Sequence, residues 1–440
     1  LLDDEEGEWK FSTVNPDKMD ISMGRFPVQT VEEAQGIVNK IKAYYNSLGD
    51  WRNDIVFVGD DEDGVTHMSQ SNQLAAILES SHKDFTINKL YLDKFQQIST
   101  SSGPRYPAAN EAIRRKVSDG ALIVNYTGHG GETGWAHERI LDISTITGWN
   151  NLNNLPLFVT ATCEFSRFDD PLRTSAGELV LLNSKGGGIG LFTTTRLVYS
   201  SPNYFLNQSF YNQVFKRLPN GESKRLGDIM LQVKNANANQ GNTRNFSLLG
   251  DPALRLAIPQ YNVVTTSING LPISTMDTLK ALTKASVSGF IADQNGQKIS
   301  NFNGVLYPTI FDKAVEVNTL NNDGAGIFRF SSRESKVFKG RASVKNGDFS
   351  FDFIVPKDIS YSFGEGKISY YSDNGKEDAN GYTESFIIGG SNSNGIVDEV
   401  GPQLDLYLND ESFVYGGITD ENPILLAKLF DEQGINTVGN

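Results

Sequence analysis

Apolar residues in the first half of this chain gather in short unbroken runs, and helical spacing fills the stretches between them. Residues 54–59 (DIVFVG), 121–126 (ALIVNY), 155–161 (LPLFVTA) and 188–195 (GIGLFTTT) are runs of strand length. Unbroken rather than alternating runs predict strands covered on both faces, as in a parallel sheet. Before the first run, Val31, Ala34, Ile37, Val38, Ile41 and Tyr44 or Tyr45 recur at helical spacing. Thr30 is the predicted N-cap of that helix, with Glu32 and Glu33 in its first turn. Further helices are predicted over 69–80, 108–117, 175–185, 203–217 and 223–237, and a further strand over 85–92. Together these elements predict an α/β domain with a mostly parallel sheet.

The pattern changes after Pro259. Period-2 runs appear, such as 286–291 (SVSGFI) and 349–355, and the turn pairs Asn295-Gly296, Asn346-Gly347 and Asn374-Gly375 separate them. An all-β sandwich is predicted from about 261 to 390. Residues 389–395 (GGSNSNG) read as a linker, and 401–408 as the first strand of another β module. The expected division is therefore an irregular acidic segment over 1–19, an α/β domain over 20–259, a sandwich over 260–390, and a linker with the start of a further module over 391–440.

Parallel sheets carry their sites at the carboxyl ends of the strands. Two successive runs end in His129, within TGHGG, and in Cys163, within TCEF; Cys163 is the sole cysteine among 440 residues. A thiolate is a nucleophile, and a neighbouring imidazole can create it and later protonate a leaving amine. The backbone N–H groups of Gly130 and Cys163 are the predicted oxyanion hole, because such donors stabilise the tetrahedral intermediate of acyl transfer. The plainer alternative is a buried cysteine and a turn histidine.

Other residues are ambiguous from sequence. The acidic turn after the first run offers Asp60, Asp61 and Asp63 as calcium ligands, or simply as a solvated loop. Trp135 could wall a cleft or fill the core. His137 is a weaker base than His129, and Glu164 stands beside the nucleophile. Asp169 and Asp170 could face a basic substrate side chain or lie on a surface loop. His67 and His82 lack metal-ligand spacing and read as surface or packing residues. Gly186-Gly187-Gly188 is a turn, without the spacing of a phosphate loop.

Composition narrows the function. A net charge of −14, from 53 acidic and 39 basic residues, argues against a nucleic-acid partner. One cysteine excludes an intrachain disulfide framework. No apolar run reaches the length of a membrane helix. The chain starts without Met and without a visible signal peptide, so it reads as an internal or processed piece.

The stretches TGHGGETGW and TATCEFSRFDD, with SMGRFPVQT, NDIVFVGDDEDG and NFSLLGDPALRL, resemble the gingipain family of cysteine peptidases, clan relatives of caspases. The resemblance covers roughly 20–258. It implies a caspase-like α/β fold with helices on both faces and an immunoglobulin-like domain following it. It assigns Cys163 as nucleophile and His129 as base. The Gly-x-Asp after the first strand puts Asp61, with Asp60 as alternate, in the role of orienting His129. Thr194 and Arg196, at the third strand end, are implied substrate-pocket residues. Within the family the match is nearest the sortases of the type IX secretion system. Those imply an enzyme at the outer face of the outer membrane. Its implied partners are cargo with C-terminal signal domains, a PorV-like anchor and a lipopolysaccharide amine as acceptor. No cofactor is required, although calcium would fit.

Overall fold

In the computed structural model, residues 18–392 and 401–431 are described; the predicted 1–19 segment lies almost wholly outside them. Among the described residues, no helix is long and apolar enough to cross a membrane.

The first part is built on β1 (Asp54–Gly59), β2 (Thr86–Tyr91), β3 (Ile123–Thr127), β4 (Leu157–Ala161), β5 (Gly190–Thr194) and β6 (Phe246–Leu249). They form a 6-stranded sheet in the order β6-β5-β4-β3-β1-β2. All neighbours are parallel except β6, which runs antiparallel to β5. The helices are α1 (Val31–Asn46), α2 (Thr66–Ser81), α3 (Pro107–Asp119), α4 (Ile143–Gly148), α5 (Ala176–Leu182), α6 (Ser200–Val214) and α7 (Leu226–Ala236).

The strand runs are apolar throughout because each face has its own core. Ile55, Phe57, Leu157 and Val159 pack with residues of α2, α6 and α7. Val56, Val58, Val124 and Phe158 pack on the other side with residues of α1, α3, α4 and α5. This arrangement gives the expected sheet with helices on both faces.

Helix α1 starts as predicted. Thr30 Oγ1 accepts from Glu33 N at 3.1 Å and the Glu33 carboxylate accepts from Thr30 N, a capping box. Its buried face is rotated from the expected one. Val31 and Val38 are exposed, while Lys40 is buried. The Lys40 ammonium reaches the last turn of α5 and donates to Val180 O (3.2 Å) and Leu181 O (2.7 Å), carbonyls that α5 leaves open. A cation at a helix C-terminus suits the dipole, which offsets part of the burial.

The second part contains β7 (Tyr261–Ile268), β8 (Lys284–Ala292), β9 (Gly304–Phe311), β10 (Ala342–Lys345), β11 (Asp348–Ile354), β12 (Lys367–Asp373) and β13 (Asp378–Thr383). The sheet runs β7-β8-β11-β10-β9-β12-β13 and returns to β7 through a parallel pairing of Tyr261 with Ala379 and Asn262 with Asn380. This closes a barrel-like sheet where period-2 alternation had pointed to an all-β sandwich and the family resemblance had implied an immunoglobulin-like one. Alternation records one buried face per strand and is the same for both. The predicted linker begins inside a strand, since Phe386–Ser391 pairs with Asp277–Ala281; its remainder, 393–400, lies outside the described residues. Beyond it, Gln403–Leu408 pairs antiparallel with Leu425–Phe430.

The two parts are fastened together along β2. A hairpin of Val315–Asn318 and Arg329–Ser332 places Phe330 edge-on to Tyr91, with ring centroids 4.7 Å apart. Lys89 Nζ donates to Ser331 O at 2.8 Å, and Asp93 accepts from the backbone N–H groups of Asn321 and Asn322, both at 2.8 Å. Arg52 and Asp378 form a buried ion pair at 2.7 Å.

Candidate active site

The parallel register decides which residues share the carboxyl edge. Gly59, Thr127 and Ala161 pair across β1, β3 and β4. Two residues further along each strand are Asp61, His129 and Cys163. The loops also touch: a Cβ on Gly130 would lie 2.6 Å from Thr162 Oγ1, so glycine is what lets the histidine loop lie against the cysteine loop.

His129 is held from several sides. Its backbone N–H donates to Asp60 Oδ2 at 2.7 Å, and its carbonyl accepts from Tyr126 OH (2.5 Å) and Ala136 N (2.9 Å). Its ring Nε2 lies 3.1 Å from Asp63 Oδ2 and 3.8 Å from a Glu62 oxygen. The carboxylate on the ring is therefore Asp63, not Asp61. The Asp61 carboxylate is instead engaged by Tyr106 OH. Asp60, the alternate, holds the main chain of His129 rather than the ring. Asp63 reaches the ring because it and Gly64 both adopt left-handed backbone (φ 56° and 68°), turning the chain back before α2. A tautomer with Nε2–H directed to Asp63 would keep the lone pair on Nδ1, the nitrogen then able to exchange a proton with a thiol.

Two more histidines flank the ring. His137 stacks on it at 5.5 Å, and its Nδ1 meets Glu62 at 2.6 Å, a contact that raises the His137 pKa. His67, read from sequence as surface or packing, is buried edge-on to His129 at 5.2 Å, with Nε2 3.4 Å from Asp63 Oδ2. Burial lowers its pKa. No sequence signal marked His67: Asp63 precedes α2 in left-handed backbone, so the folded turn, not helical spacing, brings the two together. His82 packs on Phe215 and Phe85, as expected.

Cys163 is half-buried, and its Sγ points to Val198 O at 3.6 Å. Its N–H donates to no acceptor among the described residues, and Glu164 after it takes left-handed backbone (φ 48°). Gly130 pairs with Trp135 in a short hairpin. Because Ala136 N donates to His129 O, the Gly130–Trp135 pair is the one between ladder bonds, and the Gly130 N–H faces away from its partner strand. Both predicted oxyanion donors are thus without an acceptor among the described residues.

The expected substrate residues divide. Trp135 is core: it is fully buried, stacked on Tyr126 at 4.4 Å and packed on Phe165. Thr194 is also fully buried, with its hydroxyl donating to Thr162 O. Both lie too deep to meet a substrate. Glu164 and Arg196 remain at the mouth, joined by a hydrogen bond from Glu164 N to Arg196 O at 3.2 Å. Arg196 pairs with Asp169, and Arg173 lies 3.5 Å from Asp170. Glu132 meets Arg167 at 2.9 Å and Arg173 at 3.2 Å. Leu172, Leu197 and Tyr199 stand exposed on the same loops.

The proposed calcium set does not gather as predicted. Asp63 belongs with His67 and His129, whereas Asp60 and Asp61 gather with Glu138, each set having ligand atoms within 4.8 Å of one another. No sequence signal connected Glu138 to this turn; a hairpin brings it in. Burial raises the pKa of Asp60 and Glu138, and pushes Asp61 up to about 7.

A parallel sheet with helices on both faces, presenting a histidine and a cysteine from adjacent strand ends, defines an α/β protein of the cysteine-peptidase class. The chain belongs to peptidase family C25, whose sequence profile matches residues 3–257. Among solved structures it is similar to dimeric latent PorU from Porphyromonas gingivalis, with 27% identity and a TM-score of 0.37, over 58% of this chain and 25% of that one. The chain thus spans a quarter of that protein's length. It is also similar to the Arg-specific cysteine proteinase gingipain R (RgpB), with 16% identity and a TM-score of 0.47, over 85% of this chain and 76% of that one. A complex of the RgpB pro- and mature domains from Porphyromonas gingivalis matches with 16% identity and a TM-score of 0.48, over 84% of this chain and 78% of that one. No curated protein matches the sequence.

Proposed function

We propose that the chain is the catalytic part of a cell-surface cysteine endopeptidase that cleaves C-terminal secretion signals from type IX cargo. The observation that carries the peptidase reading is the shared register of His129 and Cys163 beyond Thr127 and Ala161. The Cys163 thiol turns from Val198 toward His129 and gives its proton to Nδ1. The thiolate attacks the scissile carbonyl, and the N–H groups of Gly130 and Cys163 hold the oxyanion. The C–N bond breaks, His129 protonates the leaving amine, and a thioester remains. Water or an amine then attacks the thioester, and His129 takes the proton of the attacking group.

The secretion role rests on the sequence resemblance, and so do its partners: cargo with C-terminal signal domains, a PorV-like outer-membrane anchor and a lipopolysaccharide amine as acyl acceptor. A digestive peptidase selecting Arg or Lys is the alternative. It needs an unpaired acid beside the cleft. Glu132, Asp169 and Asp170 are all matched to arginines, Glu164 lies 3.9 Å from Arg167, and Leu172, Leu197 and Tyr199 stand exposed among them. That arrangement favours the secretion reading.

Product mass spectrometry tests both. The full-length protein, or its Cys163→Ala variant, is mixed with a secreted cargo protein and an amine. A Cys163-dependent cargo–amine product supports transfer, and a free carboxylate alone supports hydrolysis. Equal products from wild type and variant would overturn catalysis by Cys163 and leave a scaffold that presents β modules to outer-membrane partners.

A further inference from the structure

We propose that the loop of the second part over 319–328 positions the acidic turn beside His129, with Gln97 and Tyr106 as the positioning residues between them. The inference rests on the peptidase reading of His129 and Cys163. The path starts at the turn. Asp60 holds the main chain of His129 and Asp63 meets its ring, so the ring depends on how that turn is held. Asp61 lies between those two residues, and its Oδ1 has no hydrogen-bond partner. What fixes the Asp61 carboxylate is Tyr106 OH, which donates to Oδ2. Tyr106 is fully buried and stands at the N-cap position of α3.

Tyr106 is tied in turn to the second part. Gln97 Nε2 lies 3.2 Å from Tyr106 OH and 3.2 Å from Asp323 Oδ2, so its two N–H groups serve the hydroxyl and the loop together. A hydroxyl that accepts from Gln97 keeps its own proton for Asp61. The Gln97 backbone N–H donates to Asn322 Oδ1 at 3.4 Å. Asn322 Nδ2 donates to Asp93 Oδ1 and to Phe95 O, both at 2.9 Å. Behind it, the Asp93 carboxylate takes the N–H groups of Asn321 and Asn322, and the Asp93 carbonyl takes that of Leu320 at 2.8 Å. Three successive N–H groups of the loop thus converge on one residue of the first part. A continuous chain of hydrogen bonds from loop to turn passes a displacement of the loop to the His129 ring. A misplacement of about 1 Å near the reacting groups can cost about a hundredfold in rate.

The test uses the whole chain, with cleavage of a secreted cargo protein and alkylation of Cys163 by iodoacetamide as readouts. Gln97→Leu, which removes both side-chain donors, should lower kcat about threefold to tenfold while KM stays within about twofold. The alkylation rate should fall with it. Asn322→Ala should act in the same direction, and the double variant should lose no more than the worse single one, because both cut one path. Placed on Asp63→Asn, Gln97→Leu should cost almost nothing further, whereas a smaller folded fraction would lower both backgrounds alike. Lys94→Met breaks the ion pair with Glu334 across the same seam without touching the path, and it should keep the wild-type rates. Equal kcat in Gln97→Leu and wild type would overturn the inference and leave the peptidase reading standing. So would an equal fold-loss on the Asp63→Asn background. A wild type without Cys163-dependent cleavage would overturn both.

Discussion

His129 and Cys163 stand two residues beyond a registered pair, Thr127 opposite Ala161, on adjacent parallel strands. The same step beyond Gly59 on β1 reaches Asp61, yet the carboxylate that meets the His129 ring is Asp63, one turn further on. Strand register therefore places the proposed nucleophile and base, and the turn after β1 places the carboxylate that meets the base.

Asp63→Asn should slow the chemical step about tenfold to a hundredfold with little change in KM, because the imidazolium loses its counter-charge while the ring keeps a hydrogen-bond partner. The rate of Cys163 alkylation by iodoacetamide near neutral pH should fall in parallel. Both are measured against Asp61→Asn, in which the Asp63–His129 contact remains. A larger loss in Asp61→Asn than in Asp63→Asn would reverse the assignment.

Gly130→Ala should cost about 1–3 kcal/mol of stability and most of the activity. The new methyl would meet Thr162 Oγ1 at 2.6 Å and Gly134 O at 2.8 Å, and the backbone carbonyl cannot step aside cheaply. Gly131→Ala, whose Cβ would meet nothing within 4 Å, is the control. Thermal unfolding and the alkylation rate of Cys163 read the two effects separately.

Asp378→Ala should destabilise the protein by about 3–5 kcal/mol, because it leaves the Arg52 guanidinium buried without its counter-ion. It also removes the acceptor of Tyr371 OH. Urea unfolding measures the loss. The further substitution Arg52→Met should restore part of it, since the uncompensated charge is then gone.

Burial pulls Lys40 down from 10.5 to about 7 in the folded chain. Between those values the unfolded chain holds a proton that the native chain has released, so this residue makes stability rise as pH increases from about 7. Urea unfolding at about pH 7 and pH 9.5 should show a gain in wild type that is smaller in Lys40→Met. An equal gain in both proteins would assign the slope to other groups.

Much of the fold was legible because both signals for it are local. Unbroken apolar runs announced strands covered on two faces, and helical spacing announced the elements that cover them. The ends of two such runs sufficed to single out His129 and Cys163. Lys40 escaped detection because its burial depends on the open carbonyls of α5, some 140 residues away in sequence.

What the sequence determined by itself was the order of strands and helices and the residues that follow each strand end, since periodicity and strand length are properties of neighbouring residues. Tertiary structure alone decided the rest. Consecutive residues of a turn point in different directions, so only the folded turn separates Asp60 on the main chain, Asp61 on Tyr106 and Asp63 on the ring. Trp135 and Thr194 sit near the site in sequence but beneath it in space, filled over by Tyr126, Phe165 and Thr162. The second sheet closes because Tyr261 meets Ala379, a pairing across more than a hundred residues that alternation does not record. Glu138 joins Asp60 and Asp61 for the same reason: side-chain proximity across separate loops is a product of packing, and packing is not written in any single stretch of chain.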